Sequence, residues 1–157
     1  MVTALQVTAE ARSEFVRPLR EIVAEVARHR GLPDERVRGV KLCVSEAVTN
    51  SVQHAYNDGH DGIVEVSVRD LGDELEVVVV DQGEGFKPPR NSAGGFGLPL
   101  IDRLTDRCAV RRTAGSGTKV EMVFAVGGGK NHLLAAPPWP YPRDRRDPNR
   151  SGLIVPD

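Results

Sequence analysis

Apolar residues change their period along this chain. Near the start, Val2 to Val7 alternates weakly and predicts a short strand. Phe15, Leu19, Ile22, Val23 and Val26 then recur at helical spacing, predicting a helix from Glu14 to about Arg30 with Ser13 as its cap. Pro18 is tolerable in that helix only near the first turn, where few backbone donors have partners. Gly31 and Pro33 end it. A second helix is expected from a cap at Asp34 to about Tyr56, with Val37, Val40, Val44, Ala47, Val48 and Val52 as its apolar stripe. After the turn-rich Asn57 to Gly62, the period falls to two. Ile63, Glu65 and Ser67 alternate with Val64, Val66 and Val68, and Leu71 to Asp73 makes a tight turn. Leu75 to Val80 is a continuous apolar run, which predicts a central strand paired with the one before it. Asp81 to Gly97 is rich in Gly and Pro, Leu98 to Leu104 suits a short helix, and Cys108–Arg112 with Lys119–Val126 reads as a second hairpin around Ala114 to Gly117. The order predicts an α+β two-layer sandwich: one mostly antiparallel sheet with helices on one face.

Composition refines this picture. With 157 residues there is room for one ordinary domain. Aromatics are only 4%, so aliphatic side chains must fill the core. A net charge of −1 removes the electrostatic case for a nucleic-acid or membrane surface as partner. Met1 to Leu5 has neither the basic start nor the apolar core of a signal peptide, and no apolar run is long enough to suggest a membrane span. Cys43 and Cys108 sit in apolar patterns and are expected to be buried free thiols of a cytosolic protein. No paired Cys or His spacing implies zinc. From Gly127 onward the chain turns Gly-, Pro- and charge-rich, so 127–157 is expected to be a flexible tail beyond a domain of 1–126. Trp139 and Tyr141 lie between prolines there, in a setting that suits either a plain extension or a short docking motif.

Three segments carry candidate chemistry. In SEAVTNSVQHAY (45–56), Glu46, Asn50 and His54 are spaced four apart, which fits a solvated helix face or a site. In DQGEGF (81–86), Asp81 beside Gly83 and Gly85 is either a capped turn or a floor over which backbone approaches a flat ligand while a carboxylate accepts a hydrogen bond. GGFGLPLI (94–101) opens the short helix, and helix N-termini attract phosphate. It is neither a Walker A loop nor a dinucleotide fingerprint, because the required spacings are missing.

Together and in this order, these segments resemble the N, G1 and G2 boxes of the GHKL ATPase superfamily, which has the Bergerat, histidine-kinase-like ATPase fold. GSGTKVEMVF (115–124) is similar to its closing Gly-Thr strand. The short spacing and the E-A-V-T-N-x-x-x-H form of the first box look most like the bacterial anti-sigma factor serine/threonine kinases. The resemblance spans about residues 1–126.

The resemblance implies ATP and Mg²⁺ as cofactors and gives each residue a role. Asn50 would coordinate Mg²⁺ through its amide oxygen, and Glu46 would act as general base toward the attacking hydroxyl. Asp81 would accept a hydrogen bond from the adenine amino group, with Gly83 and Gly85 letting backbone pass close to the base. Lys87 to Gly97 would be the lid; Gly95, Gly97 and the N–H groups around Leu98 would hold phosphate; and the Thr118 hydroxyl would close the adenine end. His54 would shape the site or satisfy the helix end. The implied activity is phosphorylation of an anti-sigma antagonist by a cytoplasmic, homodimeric kinase that also holds a sigma factor, with Arg17 and Arg20 as candidate partner contacts. The alternative is a non-catalytic ATP-binding module that regulates a partner by binding alone. A histidine-kinase catalytic domain fits less well, because so few residues precede the first helix.

Overall fold

The computed structural model describes residues 2–55, 62–83, 97–113, 115 and 117–127. The elements are β1 (Val2–Glu10), α1 (Ser13–His29), α2 (Asp34–Asn50), a π-helical turn (Ser51–Ala55), β2 (Ile63–Asp70), β3 (Glu74–Asp81), α3 (Gly97–Leu104), β4 (Arg107–Arg112) and β5 (Thr118–Ala125). The five strands form one sheet in the order β1-β2-β3-β5-β4, and every pairing is antiparallel. Both expected hairpins are present, and β3 occupies the centre as its continuous apolar run requires.

The helices cover one face. Val64, Val66 and Val68 of β2, Leu75, Val77 and Val79 of β3, and Val120, Met122 and Phe124 of β5 share a single core with Leu19, Val23 and Ala27 of α1 and Val40, Val44 and Val48 of α2. The opposite face carries ion pairs across the strands, Arg69–Glu76 at 3.0 Å, Arg111–Glu121 at 3.5 Å and Arg107–Glu74 at 2.6 Å, and one along β5, Lys119–Glu121 at 2.7 Å. Val78 and Val123 are buried but stand outside the helix-side core. Their strand parity puts them on the face that carries these long polar side chains, whose stems can shield apolar surface.

Local chemistry departs from expectation at the helix starts. Arg12 and Pro33 hold the N-cap positions, and neither helix has a side-chain cap. Ser13 and Asp34 are the first helical residues instead, and Asp34 with Glu35 places negative charge at the positive end of α2. Ile22, expected in the core stripe, is 40% exposed; the buried line runs through Leu19, Val23 and Ala27. Pro18 lies inside α1, and both it and Glu14, whose carbonyl it leaves without a partner, are exposed, so water can serve that carbonyl. The end of α1 is as expected. Gly31 has φ +83°, its N–H donates to the Arg28 carbonyl at 2.8 Å, and the Leu32 N–H donates to Ala27 at 3.1 Å. This is a Schellman closure.

The second helix does not continue as an α-helix to Tyr56. It turns π-helical at Ser51, immediately after Asn50. The expected tail from 128 onward, with Trp139 and Tyr141, the loop at 56–61 and the lid segment 84–96 lie outside the described residues.

One polar cluster pins α2 to the end of the sheet. Arg36 pairs with Asp106, and the Arg36 guanidinium sits 5.9 Å from the centre of the Phe124 ring. Asp106 also accepts the Ala125 N–H at 2.7 Å. The two side chains are only 19% and 14% exposed, so removing one leaves the other charge largely buried. Asp106→Ala should therefore lower stability by about 3 kcal/mol. Urea unfolding would measure it, and a loss below about 0.5 kcal/mol, the level of an ordinary surface substitution, would contradict this account.

Cys43 and Cys108 are both free and buried. Burial, followed by the neighbouring Cys108, pushes the Cys43 thiol up to about 12. Burial, followed by nearby Asp102, does the same for Cys108, also to about 12. Neither thiol should react with iodoacetamide at pH 8 until the protein is unfolded; rapid labelling of the native protein would refute the burial. Unfolded thiols ionise near their ordinary value of about 8.5, so above it the folded state holds more protons. The thiols' contribution to stability is complete below that value and is lost as pH climbs toward 12.

Candidate functional site

The sheet register puts a carboxylate where two elements end. Val64 pairs with Asp81 and Val80 with Lys119, so Asp81 finishes β3 beside the start of β5, with its side chain on the helix-covered face. Asp81 is 4% exposed. A carboxylate buried this deeply is tolerated only when its lone pairs are met. Its Oδ1 accepts the backbone N–H groups of Gly83 and Thr118, each at 3.1 Å. Its Oδ2 accepts the Ser51 hydroxyl, also at 3.1 Å. Ionised carboxylates offer about four acceptor positions, so a further donor can still be taken on Oδ2.

Gly117 completes this corner. A Cβ there would stand 1.9 Å from the Asp81 carbonyl oxygen and 2.8 Å from the Gln82 Cα. Only a residue without a side chain lets the β4–β5 turn lie against the end of β3. The Thr113 N–H donates to the Gly117 carbonyl at 2.9 Å and closes that turn.

Glu46 and Asn50 lie in the last turns of α2, four residues apart and both half-buried. The chain then widens into the π-helical turn, whose first residue is Ser51. Such turns concentrate at functional sites. Gly97 and Leu98 open α3, and Leu98 packs against the core.

Of the expected site residues, Asp81, Gly83 and Thr118 are joined in one hydrogen-bonded cluster. Thr118 enters it through its N–H, whereas the hydroxyl was the group expected to act there. Gly85 and Gly95 and the side chain of His54 lie outside the described residues. Arg17 is exposed, while Arg20 is turned against α2, with its guanidinium 3.4 Å from the Ser45 hydroxyl.

Sequence reasoning missed Ser51 and Gly117. Ser51 sits directly after Asn50 but off the i, i+4 line, and it meets Asp81 only because the end of α2 lies over the end of β3. Gly117 was read as a hairpin glycine, although its place immediately before Thr118 was a signal that backbone had to come close.

The fold that carries this constellation has counterparts among known proteins. Residues 9–124 match the histidine kinase-like ATPase domain family. The chain belongs to that family. Among histidine kinase-like ATPase relatives, the serine-protein kinase RsbW of Bacillus velezensis is 34% identical over 81% of this chain and 88% of its own length. The serine-protein kinase RsbW of Bacillus subtilis is 31% identical over 79% of this chain and 86% of its own. Among solved structures, the RsbU and RsbW domains of a Mycobacterium tuberculosis protein superpose with a TM-score of 0.61 at 22% identity, covering 78% of this chain and 31% of that one. A blue-light activated histidine kinase domain from Erythrobacter litoralis gives 0.53 at 23%, covering 73% and 60%. Both likenesses establish the shared fold of a histidine kinase-like ATPase domain. Among the described residues no helix is long and apolar enough to cross a membrane.

The donor set suits the nucleotide of such a domain. Asp81 keeps room for an amino donor. No group of three or more His, Cys, Asp or Glu among the described residues could hold a metal alone, so a cation here would rest largely on phosphate and water. Gly117→Ala should destabilise the fold by several kcal/mol, about 3 or more, because the clash is with backbone. Thermal unfolding tests it; a melting temperature within about 2 °C of wild type would show that the corner yields.

Proposed function

We propose that the chain is an ATP-dependent protein serine/threonine kinase acting as an anti-sigma factor. The observation that carries this is the Asp81 corner, a buried carboxylate with three protein donors and one remaining acceptor position, beside the helix end that bears Glu46 and Asn50. The named serine-protein kinases at 34% and 31% identity support the same activity.

When bound, ATP with Mg²⁺ supplies the phosphoryl group. The protein's residues bind, orient and move a proton. Asp81 would accept a hydrogen bond from the amino group of adenine and discriminate against a base that presents an oxygen there, since two acceptors repel. Gly83 and Gly85 would leave room for the base, and Thr118 would close that end. Asn50 would hold Mg²⁺ through its amide oxygen, a hard ligand for a hard cation. The N–H groups of Gly95, Gly97 and Leu98 would hold phosphate. Glu46, one turn before Asn50, takes the proton of the attacking serine or threonine hydroxyl. Most of the catalytic effect lies in positioning and charge neutralisation. The partners are a sigma factor and its antagonist, with phosphorylation of the antagonist ending its competition for the kinase. The kinase works as a homodimer in the cytoplasm.

Two substitutions separate binding from chemistry. Asn50→Ala should abolish Mg²⁺-dependent ATP binding in calorimetry. Glu46→Gln should leave that binding within about threefold while slowing transfer to the antagonist by about 10²-fold or more. Equal Mg²⁺-ATP affinity in wild type and Asn50→Ala would sink the metal assignment. Undiminished transfer by Glu46→Gln would remove the base.

A further inference from the structure

Ser51 has a position that none of the roles above uses. It is 4% exposed, and its hydroxyl oxygen lies 3.1 Å from Asp81 Oδ2 and 3.1 Å from the Ala47 carbonyl. A hydroxyl has one proton, so it serves the sheet or the helix but not both fully at once. The Ala47 carbonyl already receives the Ser51 backbone N–H, whereas Asp81 Oδ2 has no other partner among the described residues. The charged acceptor is also the stronger one. The proton therefore rests on Asp81 when that oxygen is otherwise unmet, and can turn to Ala47 when another donor arrives.

The two acceptors belong to different parts of the site. Asp81 ends β3, and Ala47 lies between Glu46 and Asn50 on α2. Ser51 itself directly follows Asn50 and opens the π turn. The Ser51–Asp81 bond is thus a polar tie between the strand end and the helix end. Ser51 keeps α-helical dihedrals and donates its N–H to Ala47, so its place over the carboxylate is set by α2 itself.

We propose, on the nucleotide-binding reading above, that Ser51 is a positioning residue coupling the base end of the site to its phosphate end. It holds Asn50 and Glu46 in register with Asp81 through one hydroxyl proton shared between sheet and helix. A donor arriving on the remaining position of Asp81 Oδ2 shares that oxygen's charge and weakens its hold on the Ser51 proton, whose other acceptor is the Ala47 carbonyl of α2, so occupation of the base pocket is felt in the turn that carries Asn50.

The test is calorimetry on the full chain with three probes: adenosine, ATP with Mg²⁺, and ATP with EDTA. Ser51→Ala should keep adenosine affinity within about threefold, yet reduce the gain in ATP affinity from Mg²⁺ by about tenfold or more. Ser51→Thr, which keeps the hydroxyl, should restore the gain, and Ser51→Cys, which keeps the size but donates weakly, should not. The contrast between Thr and Cys decides the matter even if the Ala variant fails to fold. An unchanged Mg²⁺ gain in Ser51→Cys overturns the proposal. So does an equal loss of adenosine and Mg²⁺-ATP affinity, which would make Ser51 a base-pocket group alone. Failure of wild type to bind Mg²⁺-ATP would instead overturn the nucleotide reading on which the coupling rests.

Discussion

The structure is organised around one buried negative charge. A carboxylate at the end of the central strand would be untenable without partners, and each partner imposes a condition on the chain. The Gly83 N–H requires the backbone to fold back just after β3. The Thr118 N–H requires β5 to begin beside it, and that approach excludes any side chain at Gly117. The Ser51 hydroxyl requires the end of α2 to lie over the end of β3. Strand, hairpin and helix are thereby held to a common point by hydrogen bonds that meet on one side chain.

The two faces of the sheet divide the work of holding it together. On the helix side, Val, Leu and Met from four strands fill the core, as the scarcity of aromatics demands. On the other side the strands are laced by ion pairs, including the doubly bonded Arg107–Glu74 contact at 2.6 and 2.7 Å. Pairs of this exposure contribute little individually. Their stems shield Val78 and Val123, which is why β3 reads as apolar throughout although only one of its faces meets helices.

How much of this was legible follows from the length scale of each signal. Periodicity is local, so all strands, both hairpins and the helix-covered face could be read from runs such as Val64-Val66-Val68 and Leu75–Val80. Caps were misread because Ser13 and Asp34 are good capping residues in isolation, but the chain enters the helices at Arg12 and Pro33. At the site, Asp81, Gly83 and Thr118 were legible as motif positions, and the structure joins them. Ser51 and Gly117 were not, because their roles exist only in the geometry between α2, β3 and β5. No spacing along the chain encodes a hydroxyl–carboxylate bond across 30 residues or the close backbone approach at Gly117.

The sheet's edge has a consequence for how the molecule assembles. β1 pairs with β2 from Val2↔Asp70 to Glu10↔Ile63, so the first strand must wait for residues far along the chain. Contacts of such long separation form slowly, because a large loop has to close first. During synthesis from the N-terminus, an amphipathic strand therefore emerges with its backbone donors and acceptors unmet while α1 and α2 are already able to pair. The irregularity between Thr3 and Leu5 interrupts the outer edge of that strand. A broken edge is a poor template for a second chain, so the same kink that disturbs the β1–β2 ladder blunts the edge of the finished sheet against aggregation.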